Sequence, residues 1–474
     1  MSIKSLGKQS LIYGVGHILV RLVTFLLLPL YTNTFTAQEY GTVALFYTFL
    51  SFMNVIMRYG MGASFLKYFV PADGNERKTV LTSVIVSLFI TGIPFFFLWH
   101  GNREFLSPII LGVNRPEFIT MMGIIIVLDT IWSIPMLGFR SENRPFLFIL
   151  FSLLNVSITI GLNLYFILMK HMGIEAIFLS NVIASIVLFL LSIPFIFSRL
   201  NISSLSFEKW KKIVQFAIPF LPAGLFSMAM EVADRYILKA LTDLSTVGIY
   251  NAGYKIGMLM MLAVMGFNMG WQPYFIKEGK EGNQGELFGR ITTFVISGLG
   301  FIWLMLFLWS DELIQANIMG YSFFGSEFQE SLRIVPLIGL GYLFYGFYIL
   351  QTPGIFLKDK PSYAAWTRFI GAISNIGLCF LLIPNYGAIG AAISTSLSFF
   401  IMSICMYYIN QKLYPIKIEW TKIGTLCLFL IGSVIVSIQS QDHYIVNIIL
   451  TILYLSSLFG MKWIDLKKLK SIFK

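Results

Sequence analysis

The most informative residues of this chain are charged side chains that stand inside long apolar stretches. The cations of this set are Arg21, Arg58, Arg235, Lys255 and Arg368, and the carboxylates are Asp129, Glu231 and Asp234. A charge at the centre of a bilayer costs about 2.5–3.5 kcal/mol on insertion scales, so each is expected to face a protein interior or water. A lining rich in cations suits an anion, and the obvious anion inside a membrane is a phosphate or diphosphate head group. We predict that the five cations line a cavity that binds such a group.

The carboxylates have a different predicted role. Asp129, Glu231 and Asp234 are candidates for binding a coupling proton or sodium ion, because a buried carboxylate can exchange either. Glu231 and Arg235 are four residues apart on one helical face, so they could instead form a structural ion pair. Arg58 and Arg368 could extend to the cytoplasmic interface and leave the cavity. The sequence leaves these alternatives open.

Patterns of catalytic and metal-binding residues are absent from the sequence. The four histidines are scattered, the three cysteines lie in apolar segments without metal-ligand spacing, and no phosphate-binding Gly-Lys-Ser/Thr loop occurs. We therefore expect no enzyme activity, no metal and no cofactor, and transport driven by ion or substrate gradients. A membrane glycosyltransferase or acyltransferase would need catalytic carboxylates or a histidine near a loop. A purely structural scaffold would leave the charges within the spans unexplained.

The elements that must position these charges are long apolar helices. Hydrophobic residues make up 57% of the chain and charged residues 12%, and the mean hydropathy is +0.78. About 20 apolar residues span a bilayer as a helix, and lipid requires backbone polar groups to pair within the segment. We predict an all-α polytopic membrane protein with about 14 spans of this kind: 11–31, 42–66, 79–99, 118–139, 146–169, 174–198, 213–238, 246–274, 287–309, 332–356, 362–384, 387–410, 421–439 and 443–461.

The net charge of +11 is unevenly distributed over the predicted loops. Most lysines and arginines lie in alternate loops, as in the basic stretch of Lys209, Lys211 and Lys212, and the opposite loops hold few cations. This pattern predicts that both termini are cytoplasmic. It also explains the positive charge without nucleic acid. Within the spans, Pro219 and Pro222 are expected to bend or break the seventh helix.

A weak internal repeat predicts two lobes. Gly41 follows Glu39-Tyr40 at the second span, and Gly248 follows Thr246-Val247 at the eighth. We predict an N-lobe over 1–200, a C-lobe over 201–411, and a last segment over 412–474 with two further helices and a basic cytoplasmic tail. Because each lobe has an even number of spans, the repeat is parallel, and the pseudo-symmetric lobes are expected to surround a central cavity.

Several motifs resemble the polysaccharide transport family, the O-antigen flippase-like branch of the multidrug/oligosaccharidyl-lipid/polysaccharide flippase superfamily. They are Leu28-Pro29-Leu30-Tyr31-Thr32-Asn33-Thr34-Phe35 with Glu39-Tyr40-Gly41, Asp234-Arg235-Tyr236-Ile237-Leu238, Val247-Gly248-Ile249-Tyr250-Asn251-Ala252-Gly253-Tyr254-Lys255, and Leu382-Ile383-Pro384-Asn385-Tyr386-Gly387-Ala388-Ile389-Gly390-Ala391-Ala392. The resemblance implies two six-helix lobes around a V-shaped cavity, with two appended helices. Among the predicted site residues, Asp234, Arg235 and Lys255 fall at positions of these family motifs.

The same resemblance implies a function. Proteins of this family flip polyprenyl-diphosphate-linked oligosaccharides across the bacterial inner membrane, as in O-antigen, lipopolysaccharide or capsule assembly, beside a glycan polymerase and assembly machinery. The alternative within the same fold is a multidrug or organic-cation antiporter. An excess of buried cations counts against it, because a cationic drug would require an acidic lining. Neither the glycan, the coupled ion nor the oligomeric state follows from the sequence.

Overall fold

The computed structural model describes residues 25–142, 144–279, 284–315, 317–318, 321–440 and 443–460. These residues form two compact units, divided between Gly248 and Ile249. Helices dominate both units, and the described part also holds one antiparallel pair of two-residue strands, β1 (Asn317–Ile318) and β2 (Tyr321–Ser322), with Asn317 opposite Ser322. The predicted all-α class is confirmed. Arg21, one of the predicted cavity cations, lies outside the described residues.

The first unit is a sequence of apolar helices joined by short loops. They are α1 (Leu28–Thr34), α2 (Ala37–Arg58), α3 (Met61–Phe69), α4 (Gly74–Gly101), α5 (Arg103–Leu111), α6 (Pro116–Ser141), α7 (Pro145–Leu164, continued by a π-helical turn over Tyr165–Met169), α8 (Glu175–Phe197), a 3₁₀ turn (Ile202–Ser204), α9 (Phe207–Ala217), α10 (Phe220–Leu241) and the start of α11 (Leu244–Gly257). Helix α2 begins with a capping box in which Thr36 and Glu39 each bind the other's backbone amide. Prolines at the first turns of α6 and α7 start those helices at little cost.

The second unit continues with further long helices. They are the rest of α11, α12 (Leu259–Glu278), α13 (Gly285–Leu308), α14 (Ser310–Gln315), a 3₁₀ helix (Ser326–Arg333), α15 (Ile334–Leu350), α16 (Pro353–Leu357), α17 (Ser362–Leu413), α18 (Trp420–Gln439) and α19 (His443–Gly460). Side chains on α13 and α19 join these helices by hydrogen bonds. Asn447 donates to the Leu308 carbonyl over 2.6 Å, and Tyr454 donates to the Ser297 carbonyl over 2.7 Å. Such interhelical bonds hold membrane helices together where water cannot compete.

Eleven helices in the described part are long and apolar enough to cross a membrane. One of them, α17, contains a non-helical residue at Gly387 (φ 53°, ψ −129°) and covers two of the predicted spans. A shorter apolar helix over Tyr444–Leu458 corresponds to the last predicted span, and most of the first predicted span lies before the described residues. The helices are therefore consistent with the predicted count, and the protein is a multi-pass membrane protein.

Two of the membrane helices in the first unit are interrupted where they contact each other. Tyr59 and Gly60 have positive φ values of 28° and 81° and separate α2 from α3, so the prediction of one continuous helix over 42–66 is wrong. The predicted break at Pro219 is confirmed, because α9 ends at Ala217 and α10 begins at Phe220. The two breaks touch. A Cβ atom on Gly60 would lie only 2.8 Å from the Ala217 carbonyl carbon, so the contact requires glycine.

The repeat glycines Gly41 and Gly248 face each other in the first unit. A Cβ on Gly41 would lie 2.9 Å from the Leu244 carbonyl carbon, and one on Gly248 would lie 2.9 Å from the Ala37 carbonyl carbon. At Gly41 on α2, the backbone of α11 occupies the space that a side chain would fill. At Gly248 on α11, the backbone of α2 does the same. The two positions that suggested the repeat in the sequence thus form one close helix–helix contact.

Candidate functional site

Polar side chains form a stripe along α2. Tyr47, Ser51, Asn54 and Arg58 follow at intervals of four, three and four residues, which places them on one face of the helix. The first three are half-buried and Arg58 is exposed. Polar groups within a membrane span are expected to face protein or water and not lipid. The stripe therefore marks the face of α2 that is expected to turn away from lipid, where the predicted cavity would lie.

Arg58 is the last residue of α2, directly before the break at Tyr59 and Gly60. Irregular backbone at membrane depth is tolerated only where protein buries it or where it lines a water-filled cavity. The Arg58 side chain is exposed. A position in the predicted cavity and a position at the interface would both leave it accessible, so its role stays a prediction.

Asp129 on α6 is the carboxylate of this region. Its Oδ1 accepts hydrogen bonds from the Trp132 indole N–H over 2.8 Å and from the Ser185 hydroxyl on α8 over 2.7 Å. Its charge also interacts with that of Arg58. The structure thus brings together two residues that the sequence had assigned to separate roles, one to anion binding and one to ion coupling.

An amide on α8 extends the same region. Asn181 lies one helical turn from Ser185, and its Nδ2 donates to the Tyr47 hydroxyl over 2.6 Å and to the Ile177 carbonyl over 2.8 Å. On α2, the amide oxygen of Asn54 is buried and has no hydrogen-bond partner among the described residues. We call Tyr47, Asn54, Arg58, Asp129, Asn181 and Ser185 the polar cluster. All of its members belong to the first unit.

The second group of predicted site residues lies on α10. Asp234 and Arg235 are 0% and 4% exposed, and the Arg235 guanidinium donates to Asp234 Oδ1 over 2.6 Å. Arg235 also donates to the backbone carbonyl of Glu231 over 2.5 Å, while the Glu231 side chain is exposed. The Asp234 carboxylate therefore pairs with Arg235 in this geometry. The roles of this group in binding a substrate or an ion stay predictions.

The remaining predicted cations belong to the second unit. Lys255 is half-buried on α11, and Arg368 is exposed near the start of α17. Their roles in binding an anion stay predictions, as does that of Arg21.

Sequence reasoning missed Tyr47, Asn54, Ser185 and Trp132 as parts of a site. The signal that could have revealed the first two is the polar spacing along the second span, which places them on the face of Arg58. No comparable signal marks Ser185, since a lone serine in an apolar helix usually bonds its own backbone. In the described part of the chain, no group of three or more His, Cys, Asp or Glu residues could hold a metal ion.

Solved structures of a flippase and of a multidrug transporter are similar in fold to this chain. The lipid II flippase MurJ in its inward closed conformation is similar with a TM-score of 0.75 and 16% identity, covering 95% of this chain and 99% of MurJ. An inward-facing multidrug resistance transporter of the MATE family and MOP superfamily is similar with a TM-score of 0.63 and 12% identity, covering 90% of this chain and 96% of that one. The chain therefore has the fold that these two proteins share.

Sequence comparison then identifies the family. A family model described as polysaccharide biosynthesis protein matches residues 6–278, more than half of the 474 residues, and the chain belongs to this family. A relative in Haloferax volcanii, "Probable low-salt glycan biosynthesis flippase Agl15", is 23% identical over 206 residues. That match covers 42% of this chain and 41% of the relative, so it spans less than half of either protein.

Proposed function

We propose that the protein is a flippase for a polyprenyl-diphosphate-linked oligosaccharide. It moves the repeat unit of an O-antigen, capsule or exopolysaccharide from the cytoplasmic to the outer leaflet of the bacterial inner membrane, by ion-coupled alternating access. Both termini lie in the cytoplasm, and the product passes to a glycan polymerase and its assembly machinery. Family membership, the flippase named among the relatives and the fold shared with a lipid II flippase support this class of substrate.

The observation that carries the proposal is an accessible arginine at a helix break within the membrane region. The Arg58 guanidinium can donate two parallel hydrogen bonds to a phosphate group. The nine-residue helix α3 starts three residues after it, and the positive end of that helix adds to the potential that attracts an anion. A neutral lipid or a cationic drug would gain nothing from such a group.

Ion coupling is assigned to Asp129 in this proposal. An incoming diphosphate competes with the Asp129 carboxylate for Arg58, because both are anions that the same guanidinium attracts. When Arg58 turns to the diphosphate, Asp129 loses the attraction of this cation and gains affinity for a proton or a sodium ion. Binding of the substrate and binding of the ion are then linked through Arg58. Glu231 and Asp234 stay as further candidates for the same role.

The first test is a glycan accessibility assay in cells that lack this protein. We expect the undecaprenyl-linked repeat to accumulate on the cytoplasmic leaflet and surface polysaccharide to be lost. Reintroduced wild-type protein should restore the glycan, whereas Arg58→Gln, Arg21→Ala and Lys255→Ala should each reach the membrane and fail to restore it. Lys211→Gln, which removes an exposed cation on α9, serves as the control and should restore it. Normal surface glycan in the deletion strain would refute the proposal.

A multidrug or organic-cation antiporter is the second candidate, because the fold is also that of a MATE transporter. The same deletion strain separates the two. Raised drug sensitivity with unchanged surface glycan would support the antiporter, and lost glycan with unchanged drug sensitivity would support the flippase.

A further inference from the structure

Two tyrosine–asparagine pairs join helices in the first unit, and they differ in their surroundings. In one pair, the Tyr31 hydroxyl donates to Asn163 Oδ1 over 3.0 Å, and the residues are 4% and 0% exposed. In the other pair, Asn181 donates to the Tyr47 hydroxyl over 2.6 Å, and both residues are partly accessible. The first pair has the burial expected of a bond that only holds two helices together. The accessibility of the second pair points to a further role.

The accessible pair lies at a defined distance from Arg58. At 1.5 Å per residue, Asn54 is about 6 Å and Tyr47 about 16 Å from Arg58 along the axis of α2. All three share one face of the helix. A molecule whose diphosphate contacts Arg58 would therefore place the groups attached to that diphosphate beside Asn54 and then beside the Tyr47–Asn181 pair.

We propose that Tyr47, Asn54 and Asn181 form a carbohydrate subsite for the sugars attached to the diphosphate at Arg58. The inference rests on the proposed function and adds the part of the substrate that these residues recognise. It also gives the substrate a direction, with the diphosphate at the break that ends α2 and the glycan along the stripe towards Tyr47.

The chemistry of the three side chains suits sugar hydroxyl groups. A hydroxyl group both donates and accepts hydrogen bonds, and the subsite offers both functions without a charge. The Tyr47 hydroxyl accepts from Asn181 and retains its own hydrogen for donation, and the partly accessible Asn54 side chain adds an amide on the same face of α2. An apolar ligand in this place would leave these groups without partners, at a cost that a glycan avoids.

The test compares two probes on the purified full-length protein in nanodiscs. One probe is undecaprenyl diphosphate, and the other is undecaprenyl diphosphate that carries a single N-acetylhexosamine. We expect wild-type protein to bind the glycosylated probe more tightly. Asn181→Ala and Tyr47→Phe should each weaken binding of that probe by about tenfold, the effect of one net hydrogen bond of ~1.4 kcal/mol, and leave the affinity for undecaprenyl diphosphate unchanged.

The matched control is Asn163→Ala, which breaks the buried tyrosine–asparagine pair. It should lower thermal stability and leave the ratio of the two affinities as in wild type. Equal affinities of wild-type protein for both probes, or an unchanged ratio in Asn181→Ala and Tyr47→Phe, would overturn the subsite while the diphosphate site stands. Binding of neither probe by wild-type protein would overturn the proposed function and the subsite with it.

Discussion

The contact between Gly41 and Gly248 makes a prediction about stability that can be worked out from distances. Replacing Gly41 with alanine adds one methyl group to α2 where the backbone of α11 passes. Helix propensity alone would make this change favourable by up to ~1 kcal/mol, because glycine is a poor helix former. The packing predicts instead that the substitution lowers the stability of the protein.

The required displacement follows from the structure. The added Cβ would lie 2.9 Å from the Leu244 carbonyl carbon and closer still to its oxygen. Two carbon atoms attract at about 3.5–4.0 Å, so the helices must separate by at least ~0.6 Å. The neighbour is backbone, which cannot rotate away as a flexible side chain could. Overpacking of this kind costs about 1–3 kcal/mol, which exceeds the gain in helix propensity. We therefore expect Gly41→Ala and Gly248→Ala each to destabilise the protein.

The assay is thermal unfolding of purified variants in detergent, with Gly161→Ala as the matched control. Gly161 is also in a membrane helix, but a Cβ there would meet no atom within 4 Å, so its replacement should not lower the melting temperature. The same separation of the two helices makes room for both methyl groups. The double variant Gly41→Ala with Gly248→Ala should therefore lose less stability than the two single variants lose in sum. A Gly41→Ala variant that melts like Gly161→Ala, or strictly additive losses, would refute the reasoning.

Three further predictions concern other parts of the chain. Asn447→Leu removes the hydrogen bonds to the Leu308 carbonyl and from the Ser437 hydroxyl and should cost about 1–2 kcal/mol, seen as a lower melting temperature; an unchanged value would show that the two bonds contribute nothing. Gly289→Val should also destabilise the protein, because a Cβ there would lie 2.7 Å from the Lys417 carbonyl carbon, and the same melting assay checks it. Asp129→Asn should stop glycan flipping and preserve binding of undecaprenyl diphosphate, whereas loss of the protein from the membrane would make Asp129 structural.

The class of fold could be predicted from the sequence because lipid leaves few alternatives. Apolar runs of membrane length must be helical, and the break at Pro219 followed from the missing backbone donor of proline. These are local effects that a residue exerts on its own segment. The membrane helices and the seventh-span break were accordingly predicted without any knowledge of tertiary contacts.

The break at Gly60 could not be predicted in the same way. The Ala217 carbonyl group approaches Gly60 so closely that only glycine fits there, and this neighbour is remote in the sequence. The interaction between the charges of Arg58 and Asp129 also joins segments that are remote in the sequence, as does the hydrogen bond from Ser185 to Asp129. Hydropathy identifies the charges that must avoid lipid, but it does not say which other helix supplies their partners.

The polar cluster also gives a physical reason for coupling a flippase to an ion. The charges of Arg58 and Asp129 have opposite signs and interact, so each lowers the cost of holding the other in a membrane region. A diphosphate that enters this cluster brings negative charge into surroundings of low dielectric constant, where an imbalance is expensive. A proton or a cation bound at Asp129 reduces that imbalance. Under the proposed function, charge balance therefore links binding of the diphosphate to binding of an ion at Asp129.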